Sequence, residues 1–186
     1  ILFALMVAVP VLADEPPKRM HPGYETRADH DPDGIGKFYL DREIAHVMGY
    51  RAAGWLERPE REKEEEPAKL IQLLNLKPGM IVADVGAGSG YHTFRMAPLV
   101  GEKGQVIASD IQPEMVKLVA DKAKSLKITN VETVQGTEKD PKLPANGVDL
   151  ILMVDVYHEF SFPFEMTEKM VAALKPGGRL VFVEFK

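Results

Sequence analysis

The stretch Val82-Ala83-Asp84-Val85-Gly86-Ala87-Gly88-Ser89-Gly90-Tyr91 decides the fold of this 186-residue chain. An apolar run from Met80 to Val85 leads into three alternating glycines, which predicts a strand, a tight turn and then a helix. Glycine suits such a turn because a Cβ would block it or keep the backbone away from a ligand. Open α/β sheets bind ligands at the carboxyl ends of their parallel strands. The stretch therefore predicts a nucleotide or nucleoside pocket at the end of this strand.

The glycine spacing excludes two common phosphate-binding loops. The dinucleotide fingerprint Gly-x-Gly-x-x-Gly needs a glycine where Tyr91 stands, and Gly-x-x-x-x-Gly-Lys-Ser/Thr is absent. The remaining pattern, an acidic residue followed by Gly-x-Gly-x-Gly, resembles motif I of the class I S-adenosylmethionine (SAM) dependent methyltransferases. The resemblance implies that Asp84 and the backbone of the loop help to position the ammonium and carboxylate groups of SAM. The loop residues expected to bind the cofactor are Gly86, Ala87, Gly88 and Gly90.

Further apolar runs alternate with helical patterns after this motif, which predicts a parallel sheet with right-handed crossovers. The resemblance implies an α/β, Rossmann-like three-layer sandwich whose mostly parallel sheet has the order 3-2-1-4-5, with strands six and seven missing. It covers residues 66–186, expected to be a truncated SAM-binding methyltransferase domain. The predicted strands are Gln105–Asp110, Asn130–Gly136 and Val148–Asp155, and the predicted helices are Tyr91–Val100, Pro113–Leu126 and Phe164–Leu174. The resemblance implies that Leu174–Val183 contains a helix end, a turn and the fifth strand.

Two of the predicted strands are followed by candidate nucleoside contacts. Asp110 ends the second strand 24 residues after Gly86, where a carboxylate accepts hydrogen bonds from a ribose diol. The alternative is that Asp110 only caps the following helix. The resemblance implies that Ile111 packs on the adenine. It also implies an acidic residue after the third strand, but Thr137 stands there, so Glu138 or Asp140 is expected to substitute.

The candidate catalytic residues follow the fourth strand: Asp155, His158 and Glu159. The resemblance implies that Asp155 lies beside the transferred methyl group, and it is also expected to bind the cofactor. Histidine is the side chain that ordinarily accepts a proton near neutral pH, so His158 is a candidate base for an acceptor that starts protonated. The structural alternative is that Asp155 caps the next helix and that His158 pairs with Glu159. No metal is expected in the site.

The function implied is SAM-dependent methyl transfer, of the class EC 2.1.1, to a small-molecule or protein acceptor, with S-adenosylhomocysteine as product. The alternatives are a SAM- or S-adenosylhomocysteine-binding module without turnover, a protein isoaspartate-type carboxyl methyltransferase and, more remotely, an NAD-dependent oxidoreductase. Methylation of exocyclic base nitrogens is disfavoured because no prolines follow Asp155. The segment Asp155–Phe160, with an apolar N-terminus, resembles exported bacterial methyltransferase-domain proteins of undefined substrate.

Three segments precede the predicted domain. Residues 1–13 are uncharged and mostly apolar and resemble the end of a signal peptide, which predicts export, to the periplasm in a bacterial cell. Residues 14–37, rich in proline, glycine, aspartate and histidine, are expected to form an irregular arm. Residues 38–65 are expected to form a helical extension, because apolar residues from Leu40 to Trp55 recur at helical intervals.

The composition of the chain excludes several classes of partner and of site. The net charge of −5 and the lack of a basic block argue against nucleic acid, and the absence of cysteine excludes disulfides, thiolate metal sites and cysteine nucleophiles. No stable membrane insertion is expected after cleavage, since the apolar N-terminal run is too short to span a bilayer. The predicted fifth strand would be an unpaired edge, so self-association through that edge is expected.

Overall fold

A central sheet with helices on both faces forms the body of the protein in the computed structural model, which describes residues 5–10 and 23–184. A separate three-stranded antiparallel sheet lies, in sequence, between the first strand of the central sheet and its other five. The strands are β1 (Leu5–Pro10), β2 (Glu25–Thr26), β3 (Gly34–Tyr39), β4 (Arg42–Ala45), β5 (Ile81–Val85), β6 (Gln105–Asp110), β7 (Val131–Gln135), β8 (Val148–Val154) and β9 (Leu174–Glu184). The helices are α1 (Ala53–Leu56), α2 (Arg61–Glu65), α3 (Pro67–Leu73), α4 (Thr93–Val100), α5 (Pro113–Ser125) and α6 (Pro163–Ala173).

Five parallel strands of the central sheet lie in the order β9-β8-β5-β6-β7, which confirms the predicted 3-2-1-4-5 arrangement. Alternate residues of β8 point to opposite helix layers. Leu150 and Leu152 pack in one core with side chains of α3 and α4, whereas Ile151 and Met153 pack with side chains of α6. Burial of both faces explains why β8 is a continuous apolar run from Leu150 to Val154. The predicted three-layer architecture is confirmed.

The predicted helical extension over residues 38–65 is wrong in its first part. Residues 34–45 form the hairpin β3–β4, in which Tyr39 pairs with Arg42. The two turn residues, Leu40 and Asp41, have φ of 50° and 61°, as a two-residue hairpin turn of mirror-image type requires. Leu40 is 69% exposed at the tip. Its side chain completed a helical stripe in the sequence but does not enter the core.

The predicted irregular arm, residues 14–37, lies partly outside the described residues. Its described part contains β2 and the start of β3, so it is not irregular throughout. A lysine side chain fixes this small sheet to the body of the protein. Lys37 donates a hydrogen bond from Nζ to the carbonyl of Ser161 at 2.5 Å, and its ammonium lies 3.5 Å from the ring centroid of Phe162. The small sheet is therefore anchored next to the segment that follows β8.

The free edge of β9 is covered, contrary to the sequence prediction. Strand β1 pairs with it antiparallel, from Leu5 opposite Glu184 to Pro10 opposite Arg179. An unpaired edge was the physical reason to expect self-association, and this pairing removes it. The remaining residues of the predicted signal peptide, 1–4 and 11–13, lie outside the described residues. Among the described residues, no helix combines the length and apolar character needed to cross a membrane.

Candidate functional site

The glycine turn after β5 forms the floor of a cleft at the carboxyl ends of the parallel strands. Gly86, Gly88 and Gly90 all have positive φ, of 74°, 53° and 78°. The backbone N–H of Gly86 donates to the carbonyl of Ser109 on β6 at 2.8 Å, which holds the turn against the neighbouring strand. A Cβ on Gly86 would lie 2.3 Å from Cγ2 of Val156. The turn therefore needs glycine both for its conformation and for space.

Asp110, at the end of β6, is held by the turns on either side of it. One carboxylate oxygen accepts the N–H of Gly88 at 2.9 Å, and the other accepts the N–H of Gln112 at 2.9 Å. Burial raises the pKa of Asp110, although these backbone donors oppose the shift. A carboxylate oxygen accepts more than one hydrogen bond, so acceptor capacity remains on the side of Asp110 that lines the cleft. The neighbouring Ile111 is 38% exposed at the same place.

Asp84 lies beneath the glycine turn rather than in the cleft. It is 3% exposed and accepts a hydrogen bond from the hydroxyl of Thr93 at 2.6 Å. Burial raises the pKa of Asp84 to about 6, against the opposing effect of the hydrogen bonds from Thr93. Any effect of Asp84 on a ligand therefore acts through its charge and through its support of the turn. Ala87 and Gly90 also do not line the cleft.

Most of the predicted site residues do meet in this one cleft. It runs from the glycine turn, past the ends of β6 and β7, to the segment after β8. Thr137 and Glu138 line it on the β7 side, whereas Asp140 binds Lys142 through its carboxylate and is not among the lining residues. The predicted residues that line the cleft are Gly86, Gly88, Asp110, Ile111, Thr137, Glu138, Asp155, His158 and Glu159.

The three candidate catalytic residues follow the carboxyl end of β8. Asp155 has a φ of 55°, and its N–H donates to the carbonyl of Val183 on β9 at 2.7 Å. This left-handed residue turns the chain from β8 into a short 3₁₀ helix, Tyr157–Glu159. The predicted pairing of His158 with Glu159 is not found. Instead, His158 Nδ1 lies 2.7 Å from an oxygen of Glu184.

The charged side chains of this segment and of Glu184 alter one another's pKa values. The hydrogen bond to Glu184 raises the pKa of His158, against the lowering effect of burial. Burial would raise the pKa of Glu184, but His158 brings it below its ordinary value. Burial raises the pKa of Glu159, and a backbone hydrogen bond from Met48 opposes that shift. The contact between His158 and Glu184 therefore favours the protonated form of His158 and the ionised form of Glu184.

Residues 47–56, which the sequence predicted to be helical, form the opposite wall of the cleft. Val47, Met48, Trp55 and Leu56 line the cleft. This segment is fixed at two points. Gln112 donates from its amide to the carbonyl of Met48 at 3.0 Å, and the N–H of Met48 donates to the carboxylate of Glu159 at 3.0 Å. The apolar wall therefore bridges the end of β6 and the segment after β8.

The sequence interpretation missed two further residues: Arg61, which lines the cleft, and Glu184, which pairs with His158. Arg61 is 5% exposed, lines the cleft and donates to the carboxylate of Glu65 at 2.5 Å. It lies in a run of charged residues that resembles an exposed helix face, so no sequence signal set it apart. Glu184 follows an apolar run at the end of β9, as Asp110 and Asp155 follow theirs. An acidic residue directly after a buried strand was therefore the sequence signal that could have identified Glu184.

The cleft has the features that a nucleoside with a charged methionine tail requires. The glycine turn, which has no room for side chains at its three glycines, lies beside the buried carboxylate of Asp110. The exposed Ile111 follows that carboxylate directly. A carboxylate at the end of the second strand of such a sheet is the ordinary acceptor for ribose hydroxyls. The residues present therefore fit SAM.

Comparisons with known proteins agree with this geometry. The methyltransferase domain family matches residues 76–186. The C-methyltransferase UbiE of ubiquinone/menaquinone biosynthesis from Shewanella piezotolerans is 30% identical over 177 residues, covering 94% of this chain and 68% of that protein. The UbiE protein of Shewanella sediminis is 34% identical over 116 residues, and the match spans 62% of this chain and 46% of that protein.

A solved structure supports the same assignment. A SAM-dependent methyltransferase from Aquifex aeolicus superimposes with a TM-score of 0.71 at 35% identity, covering 75% of this chain and 74% of that one. These matches favour neither a binding-only module nor an isoaspartate-type enzyme. With the glycine turn, Asp110 and the parallel sheet in place, the chain belongs to the class I SAM-dependent methyltransferases, whose methyl donor is S-adenosylmethionine.

Proposed function

We propose that this chain methylates an acceptor that binds in the cleft beside the segment after β8, with His158 as the general base. One observation carries the proposal: His158, paired with Glu184 at 2.7 Å, lines the same cleft as the glycine turn and Asp110. SAM, when bound, supplies an electrophilic methyl group on its sulfonium. Holding the acceptor in line with that group accounts for much of the rate in such reactions.

The residues at the cofactor end have separate tasks in this proposal. Asp110 accepts the ribose hydroxyls, and Ile111 packs on the adenine. Thr137 and Glu138 lie where the adenine amino group is expected. Asp84 favours the ammonium of the methionine tail by its buried charge, and Arg61 favours the carboxylate. Each task follows from the position and charge of the side chain in or beneath the cleft.

The acceptor end favours an apolar molecule with an acidic hydroxyl. Val47, Trp55 and Phe160 give the wall an apolar and aromatic character, and His158 is placed to take a proton. The relatives named UbiE carry out C-methylation in quinone biosynthesis, which supports a dihydroxylated aromatic acceptor. Removal of a hydroxyl proton by His158 makes the ring of such an acceptor nucleophilic. Asp155 and Glu159 border the same place and shape the charge around the acceptor.

Binding of S-adenosylhomocysteine tests the cofactor half of the proposal. We expect Asp110→Asn to weaken that binding about tenfold to a hundredfold, because a charge-assisted hydrogen bond contributes about 1.5–3 kcal/mol. Isothermal titration calorimetry measures the change. Asp121→Asn, on the exposed face of α5, removes the same charge and is the control. Equal affinities for the two variants would contradict the assignment of Asp110.

Transfer of labelled methyl from SAM to reduced 1,4-naphthoquinone tests the acceptor half. Methylated product that requires His158, judged with His158→Gln, supports the proposed function. Tight binding of S-adenosylhomocysteine without transfer to naphthoquinol or to a protein extract would indicate a binding module instead. Transfer to protein alone would contradict the aromatic acceptor.

We also propose export of the chain, on the apolar character of residues 1–13. Cleavage after Ala13 would remove β1 and expose the edge of β9, so export and the paired edge exclude each other in one molecule. We expect the exported protein to have lost these 13 residues, and the intact mass of protein recovered from the periplasm measures this. Recovery of the uncleaved chain from the cytoplasm alone would contradict export.

A further inference from the structure

The carboxylate of Glu184 is held at both oxygens by the segment after β8. One oxygen accepts the backbone N–H of Tyr157 at 2.8 Å, and the other lies 2.7 Å from Nδ1 of His158. The ring of Tyr157 packs edge-on against Phe182 of β9, with 5.2 Å between centroids. The backbone hydrogen bond and this aromatic contact fix the carboxylate relative to the 3₁₀ helix. Glu184 therefore presents one aligned oxygen to the imidazole.

Several charged groups surround this pair. Asp155 Oδ1 lies 3.7 Å from His158 Nδ1, and Glu159 adds a further negative charge from the same 3₁₀ helix. From the small sheet, the guanidinium of Arg42 lies 5.5 Å from the ring centroid of Tyr157 and acts on Glu184 with a positive charge. Of the carboxylates near His158, Glu184 makes the shortest contact. The other oxygen of Glu184 is held at the same time by the backbone N–H of Tyr157.

We propose that Glu184 is a positioning residue that keeps His158 in the tautomer with the proton on Nδ1, so that Nε2 is the basic nitrogen available to the acceptor. The inference rests on the proposed function for its catalytic meaning. The geometry itself concerns only this chain. Among the described residues, no hydrogen bond involves Nε2 of His158, and the side chain lines the cleft.

The proton balance follows from this arrangement. The acceptor hydroxyl gives its proton to Nε2, so the imidazole becomes an imidazolium. The freed electron pair is delocalised into the ring, where a carbon bonds the methyl group as the bond from that methyl to sulfur breaks and the sulfur keeps its electron pair. The proton of that ring carbon then passes through solvent to the oxygen, which restores the aromatic hydroxyl. The Nδ1–H bond to Glu184 then joins two opposite charges and becomes stronger. The imidazolium later returns its proton to water, which restores the base. The carboxylate of Glu184 stays ionised throughout and touches neither the acceptor nor SAM.

The state of His158 in the ligand-free protein is the first test. Nitrogen-15 NMR of histidine-labelled protein distinguishes the two tautomers directly, and loss of one signal in His158→Asn assigns the residue. We expect the proton on Nδ1 in the neutral form, and a pKa that falls in Glu184→Gln, because the glutamine keeps an acceptor but loses the charge. Glu168→Gln, on an exposed position of α6, removes the same charge and is expected to leave the pKa unchanged.

Methyl transfer to reduced 1,4-naphthoquinone is the second test. Glu184→Gln is expected to lower kcat and to move the lower limb of the pH profile toward acid, with an unchanged KM for SAM. Glu184→Ala is expected to lower kcat by about a hundredfold, within the range of a lost acid–base contribution. Glu168→Gln is expected to leave both constants unchanged.

The outcomes separate this inference from the proposed function. A proton on Nε2, or the same pKa of His158 in Glu184→Gln and in the wild type, overturns the inference even if methyl transfer occurs. The expected tautomer with no methyl transfer supports the pairing and counts against the proposed function. Nitrogen-15 signals of His158 that shift on addition of Mg²⁺ or Zn²⁺ would show a cation at Asp155, His158 and Glu184, which offer three ligand atoms close together, and this also overturns the inference.

Discussion

Gly86→Ala is expected to weaken binding of S-adenosylhomocysteine about tenfold to a hundredfold and to lower the free energy of unfolding. A residue with a Cβ is disfavoured at a φ of 74° by about 1–2 kcal/mol. Its Cβ would also lie 2.3 Å from Val156, which lines the cleft and must move. Crowding of this kind costs about 1–3 kcal/mol, and 1.4 kcal/mol changes an affinity tenfold.

The matched control for this substitution is Gly79→Ala. Gly79 has a φ of 88°, yet nothing lies within 4 Å of the Cβ position. The control therefore carries the conformational cost without the clash. We expect it to destabilise the protein by about 1 kcal/mol and to leave calorimetric binding unchanged. If the two variants bind equally well, the close approach of Val156 to the turn does not shape the cofactor site.

Asp84→Asn is expected to stabilise the protein at pH 7 while weakening its binding of SAM. The pKa of Asp84 is raised from 3.8 to about 6, a difference of 2.2. At about 1.36 kcal/mol for each pH unit, ionising this buried carboxyl costs the folded state up to about 3 kcal/mol at pH 7. Asparagine removes that cost and keeps an acceptor for Thr93. Loss of the negative charge beneath the turn weakens attraction of the SAM ammonium.

The raised pKa of Asp84 determines how the stability difference between Asp84→Asn and the wild type changes with pH. A carboxyl whose folded pKa lies above its unfolded pKa contributes stability below pH 3.8, and that contribution is lost as the pH rises through 6. Chemical denaturation between pH 4 and pH 7 should therefore show that Asp84→Asn gains stability over the wild type as the pH rises. Asp121→Asn, at an exposed position, should follow the wild type. A constant difference between Asp84→Asn and the wild type would contradict a raised pKa.

The parallel sheet and its cofactor turn could be predicted because each has a local signature. The run before Gly86 is buried on both faces, and the alternating glycines have the positive φ that their spacing requires. Asp110 also follows a buried strand directly. In such places one short stretch of sequence determines both the backbone and the chemistry. The predicted clustering of Asp110 and Asp155 at one edge of the sheet follows from the parallel order alone.

The hairpin and the partner of His158 depend on distant contacts that no local pattern shows. Leu40 fits a helical stripe, yet the backbone at residues 40 and 41 reverses the chain. Glu184 lies 26 residues from His158 and reaches it only because β8 and β9 are adjacent and parallel. The nearer Glu159 was the natural partner in sequence. Instead, the carboxylate of Glu159 accepts a hydrogen bond from the backbone N–H of Met48. Met48 belongs to the segment predicted to be helical, but it does not lie in a helix.

The pairing of β1 with β9 has a consequence for the order in which the protein folds. Leu5 and Glu184 are 179 positions apart (184 − 5), and contacts between such distant residues form slowly because the intervening chain must be ordered first. The cofactor turn depends on β5 and β6, which are close in sequence and are synthesised early. The tip of β9 also carries the carboxylate that orients His158. A ribosome-bound chain is therefore expected to assemble its SAM pocket before its general base is aligned.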